Sequence, residues 1–142
     1  MKAVTLAILT AVLWSVGGFF EKKGLNMGGI PPVAGITMRT FIALIVLSLF
    51  SFTKWGSVSS CGIKPLLYII IGGGVIAGSF GMLCFYMGIS TGHLSRVIPI
   101  AFGLTPVLGY VLGTILLKEP VTLVNITGLI FTSLGVILIG MK

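Results

Sequence analysis

The stretch from Leu94 to Met141, LSRVIPIAFGLTPVLGYVLGTILLKEPVTLVNITGLIFTSLGVILIGM, decides how this chain folds. Two apolar runs, residues 94–117 and 121–141, stand on either side of Lys118-Glu119-Pro120. Each is close to the ~20 residues that a helix needs to cross the hydrocarbon core of a bilayer. Lipid offers no partner to a free backbone N–H or C=O, so apolar runs of this length must be helices. The short connector forces the two helices into an antiparallel hairpin.

The same pattern recurs outward along the chain, at residues 3–20, 33–52 and 66–89. The expected fold class is therefore an all-α, polytopic integral membrane protein of five spans, organised as a single transmembrane domain over residues 1–142. Composition points the same way: 56% of the 142 residues are hydrophobic, 8% are charged, and the mean hydropathy is +1.22. A soluble domain would carry about a quarter charged residues. With two acids, one His and two Cys, the chain has no material for a metal cluster or a carboxylate pair. No catalytic residue, metal site or cofactor is expected, and the chain is not expected to be an enzyme.

The net charge of +7 raises the question of nucleic acid, but nucleic-acid binders gather Lys and Arg in a patch or along one helix face. Here the basic residues are scattered, and most fall between apolar runs, where they meet anionic headgroups. The expected partner is the lipid bilayer, not nucleic acid. Lys2, Lys54, Lys64 and Lys118 fall on one side; Lys22, Lys23, Arg96 and Lys142 fall on the other. So even a division gives the positive-inside rule nothing to act on. Either the chain inserts both ways and pairs antiparallel (dual topology), or the first helix or a partner chain fixes one orientation.

Between the spans, residues 21–32 (EKKGLNMGGIPP) read as a Gly- and Pro-rich turn, and residues 54–65 (KWGSVSSCGIKP) as a polar loop with Trp55 at the interface. Lys2 followed by an apolar run resembles a signal peptide, but no A-x-A cleavage pattern follows, so the first helix is expected to be retained. Asn125-Ile126-Thr127 matches a glycosylation sequon by chance, since it lies inside the fifth span. Cys61 in a loop and Cys84 deep in the third span are not expected to form a disulfide.

The glycines carry a packing signal. Gly74/Gly78, Ala77/Gly81 and Gly109/Gly113 are small-xxx-small spacings that let helix backbones approach closely. The Gly72–Gly74 run is not a phosphate loop, because no strand precedes it and no Lys-Ser/Thr follows. In the fourth span Pro99 and Pro106 bracket Gly103. Each proline removes a backbone hydrogen bond, and interrupted helices point to the binding sites of transporters. The three residues are either gating hinges or a structural kink.

Arg39 lies about 10 Å of helical rise into the second span. At the bilayer centre an Arg costs about 2.5–3.5 kcal/mol on insertion scales, so it should face the bundle or reach back to the interface. Glu21 is its only plausible intrachain partner. Arg39 is either an anchor for a carboxylate or phosphate or a structural ion. Glu119 reads as a turn-and-cap residue, since Glu favours a helix N-terminus, and His93 as an interfacial polar residue. No carboxylate falls in the centre of a span, which argues against proton exchange through a buried Glu. Phe19 and Phe20 read as interfacial belt, whereas Trp14 and Tyr86 lie further in and suit a cavity.

These residues, in this order, resemble the drug/metabolite transporter superfamily, and within it a single EamA-like repeat. The strongest part runs from Leu94-Ser-Arg-Val-Ile-Pro-Ile to Leu117-Lys-Glu119-Pro120, followed by Gly128 and Gly135. Trp14 with Gly17, Gly18, Phe19 and Lys22 or Lys23 resembles the first-helix signature, and Arg39 the second-helix Arg. Most such transporters carry two five-helix repeats of inverted topology, so the resemblance implies half a transporter completed by a second chain, in an antiparallel homodimer or with a homologous partner. It implies alternating-access transport of a small polar or amphipathic metabolite, in a prokaryotic cytoplasmic membrane. Trp14, Arg39, Tyr86 and Thr105 are then the candidate substrate-binding residues, and Pro99, Gly103 and Pro106 the candidate hinges. The rival readings are a flippase or subunit for lipid-linked sugars, and a non-transporting accessory membrane subunit.

Overall fold

The computed structural model of the chain describes residues 2–141, and within them every regular element is helical. Five helices are long and apolar enough to cross a membrane: α1 (Lys2–Gly28), α2 (Pro32–Ser60), α3 (Ile63–Thr91), α4 (Leu94–Leu116) and α5 (Leu123–Gly140). Large apolar side chains point outward along all of them, among them Leu9, Phe50, Ile69, Leu112 and Leu138. Helices that are apolar all round belong in a lipid solvent.

The helices end where backbone chemistry ends them. α1 does not stop at the charged residues after Phe20 but continues through Glu21, Lys22 and Lys23 to Gly28. Gly29 then takes a left-handed conformation (φ 57°), and the Ile30 N–H donates to the Leu25 carbonyl at 3.1 Å. That six-residue bond is the Schellman stop. Pro31 and Pro32 follow, with Pro32 in the first turn of α2, where a missing N–H costs nothing. The 54–65 stretch is likewise mostly helical: α2 passes through a 3₁₀ turn at Phe52–Lys54 and resumes at Trp55–Ser60. Only Cys61 and Gly62 (φ 79°) separate it from α3.

α3 is irregular at its centre. Ile69–Gly81 is π-helical, a widened winding that is rare and usually brief. Ser79 Oγ donates to the Gly74 carbonyl five residues back at 2.9 Å. The run contains Gly72, Gly73, Gly74, Gly78 and Gly81, and glycine is the weakest α-helix former after proline.

The chain divides into two compact units, residues 16–91 and residues 2–15 with 92–141. In the first, Leu25, Ile36, Tyr86 and Ile89 form a small buried core shared by α1, α2 and α3. In the second, α4 lies against α5, with Val136 of α5 buried over Gly103 of α4. A Cβ at Gly103 would collide with Val136 Cγ2, so glycine sets how closely these two helices approach. α4 stays helical through both Pro99 and Pro106.

The α4–α5 turn is built differently from the capping arrangement expected of Glu119. Thr122 caps α5, its hydroxyl accepting from the Asn125 N–H at 3.2 Å. Glu119 folds back on α4: its N–H donates to the Gly113 carbonyl at 3.2 Å, and its carboxylate lies 2.7 Å from where a Cβ on Gly113 would be. Lys118 adopts the left-handed conformation (φ 56°) that permits this return.

Candidate functional site

Because α1 runs on to Gly28, Glu21 lies within a membrane-length helix, not in a turn. Glu21 and Arg39 are equidistant in sequence from Ile30 at the α1–α2 turn. In an antiparallel pair that symmetry brings the two to the same level, and Arg39 Nε meets Glu21 Oε1 at 2.8 Å. The Glu21 side chain keeps 19% of its exposure and that of Arg39 keeps 37%, so the carboxylate is the more enclosed partner.

Two further groups complete the cluster. Tyr86 of α3 is 2% exposed, and its hydroxyl hydrogen-bonds the Glu21 carboxylate. Gly35 makes room for it: a Cβ there would lie 2.6 Å from Leu25 Cδ2 and 3.1 Å from Tyr86 Cε1. Lys22, next to Glu21, donates from Nζ to the Ile89 carbonyl at 2.6 Å. That carbonyl is in the last turn of α3, where no helical N–H remains to donate to it. The cluster thus ties three helices together with two cations and one carboxylate over an apolar floor of Leu25, Ile36 and Ile89.

Beside it, α2 and α3 enclose an open groove of about 680 Å³. Val33, Thr37 and Phe41 line one wall, and Gly74, Gly78 and Phe80 the other. Its volume falls in the range of small-molecule pockets, roughly 300–1,000 Å³. Thr37 Oγ1 donates to the Val33 carbonyl at 2.8 Å and Ser79 Oγ to that of Gly74, so both hydroxyls are turned onto their own helices.

Of the candidate substrate residues, Arg39 and Tyr86 are brought together through Glu21. Trp14 belongs to the other unit, where its ring meets Phe102 of α4 with centroids 5.0 Å apart and a tilt of 54°. Thr105 is exposed on α4 and donates to the Ala101 carbonyl at 2.7 Å. The candidate packing glycines meet different surroundings: a Cβ at Gly74 or Gly109 would meet open space, one at Gly78 or Gly81 the carbonyl of Gly73 or Ile76, and one at Gly113 the Glu119 carboxylate. Glu21, the partner expected for Arg39, does pair with it, but the change in polarity after Phe20 places Glu21 and Lys22 in a turn, so neither stands among the candidate site residues. The sequence did hold a contrary signal: no helix breaker except Gly24 occurs between Phe20 and Gly28.

The sequence matches the EamA-like transporter family over residues 1–141. The chain belongs to that family. Its EamA-like sequence is 29% identical over 140 residues to the uncharacterized protein MJ1333.1 of Methanocaldococcus jannaschii, covering 99% of this chain and 97% of that one. It is 31% identical over 144 residues to the uncharacterized transporter YvbV of Bacillus subtilis, covering 98% of this chain but 45% of the relative. No solved structure matches it. The family is one of multi-pass membrane transporters, and the five apolar helices of this EamA-like chain fit that setting.

Proposed function

We propose that this chain is one repeat of a secondary transporter, moving a small polar or amphipathic metabolite by alternating access across a prokaryotic cytoplasmic membrane. The observation that carries the reading is the family match over nearly the whole chain. The chain also aligns with less than half of YvbV, the proportion expected if two copies assemble what the longer relative joins in one polypeptide. The even division of Lys and Arg between the two sides favours copies inserted in opposite orientations. Transport then proceeds by one copy rocking against the other around a site between repeats.

The test is reconstitution of the purified chain into liposomes and measurement of solute uptake across a panel of amino acids, organic cations and organic anions. Saturable uptake of at least one class, absent from protein-free vesicles, is expected. Folded protein that moves none of the panel refutes the transport reading. A monomer by native mass spectrometry, taken from vesicles that do transport, refutes the two-copy assembly.

A further inference from the structure

We infer that Arg39 is an anion-binding site, taking the carboxylate or phosphate group of the transported solute; this assigns a substrate class to the transporter reading and rests on it. A guanidinium carries five N–H donors in a rigid fork. Glu21, joined through Nε at 2.8 Å, has two oxygens, so even a fully bidentate pair leaves at least three donors to spare. Among the described residues no second acceptor bonds Arg39. Donors facing hydrocarbon are not left unsatisfied, and the Arg39 side chain retains 37% exposure.

Charge and rigidity agree with this. Glu21, Lys22 and Arg39 together carry a formal +1. An incoming anion therefore completes the neutralisation that Glu21 begins. The guanidinium is also held in place: Glu21 binds its Nε, Tyr86 bonds the same carboxylate, and Lys22 pins α1 to the end of α3. A pre-aimed fork of this kind suits planar, bidentate recognition of a carboxylate or phosphate. Glu21 is then a positioning residue that also competes electrostatically with the ligand.

The experiment measures thermal stabilisation of the full chain in phosphatidylcholine nanodiscs by inorganic phosphate and by succinate, alongside solute uptake in liposomes. Phosphate or succinate should raise the melting temperature of the wild type. Glu21→Gln should tighten that response by roughly tenfold or more, since a bond to a charged group is worth at least a decade of affinity. Arg39→Gln should abolish it. If that variant misfolds because Glu21 is left unpaired, Glu21→Gln/Arg39→Gln removes both charges and should fold without responding to either anion. Adding phosphatidylglycerol separates the two sources of the group. Arg39-dependent stabilisation by that lipid alone would overturn the solute assignment, whereas stabilisation by phosphate or succinate that persists in its presence supports it. An anion response unchanged in the double variant overturns the site. Uptake of only neutral or cationic solutes, unaffected by Arg39→Gln, overturns the inference and leaves transport standing; an Arg39-dependent anion response without uptake of any solute refutes transport and leaves the site.

Discussion

Replacing Gly103 with alanine measures how closely α4 rests on α5. The new Cβ would fall well inside contact distance of Val136 Cγ2, whereas non-bonded carbons settle at about 3.5–4.0 Å. Val136 has little room to yield, being buried and β-branched, with essentially one χ1 rotamer in a helix. Two terms then oppose each other. Gly→Ala within a helix gains about 1 kcal/mol of propensity, while overpacking a well-filled contact costs about 1–3 kcal/mol. Gly109 isolates the first term, because a Cβ there meets open space on the same helix. Gly109→Ala is therefore expected to stabilise by up to about 1 kcal/mol, and Gly103→Ala to lie about 1–3 kcal/mol below it. Val136→Ala removes the obstructing methyl, so the double variant should recover most of the loss. Unfolding in mixed detergent–SDS micelles, followed by circular dichroism, reads all four proteins. Equal stability of the two glycine variants, or a Gly103–Val136 coupling below about 0.5 kcal/mol, would refute the close-approach argument.

Three other outcomes are expected. Lys22→Met should lower stability by about 1–2 kcal/mol through loss of the charged bond to the Ile89 carbonyl, while Lys23→Met, at an exposed position, should leave unfolding unchanged; equal effects would remove the capping role. Gly29→Ala should destabilise by about 1 kcal/mol because its φ of 57° strains any side chain with a Cβ, and Lys118→Gly at φ 56° should gain a similar amount; the same micelle titration checks both signs. Cys61 is free and exposed in the α2–α3 turn, whereas Cys84 is free and exposed within α3. If the chain inserts both ways, a membrane-impermeant maleimide applied to intact cells should label about half of the Cys61 thiols and spare Cys84; full labelling or none would exclude dual topology.

Much of the architecture was legible before any coordinates. Apolar runs, prolines and the short Lys118-Glu119-Pro120 connector placed five spans, and the structure contains five helices able to cross a membrane. The differences in element boundaries lie at helix ends and share one cause. Boundaries drawn where polarity changes put the end of the first helix at Phe20 and a loop at residues 54–65. Helices, however, stop where backbone hydrogen bonding and φ are altered, at Gly29-Ile30-Pro31 and at Cys61-Gly62. The eight-residue difference in α1 changes the chemistry, because it carries Glu21 and Lys22 from a turn into the helix. The π-helical winding of α3 was also invisible to spacing rules, although its glycines mark where an α-helix is weakest.

The sequence by itself determined the solvent, the helical class and the family, because each of these follows from composition and order summed over many residues. The pairing of Arg39 with Glu21 was within reach of the sequence, but only the tertiary structure decided that Tyr86 bonds the same carboxylate, that Gly103 lies under Val136, and that Gly74 faces an open groove. Those facts depend on the register of one helix against another. A single residue of slip turns a side chain by about 100° around a helix of 3.6 residues per turn, so a pattern that fixes where helices are cannot fix which of their side chains touch.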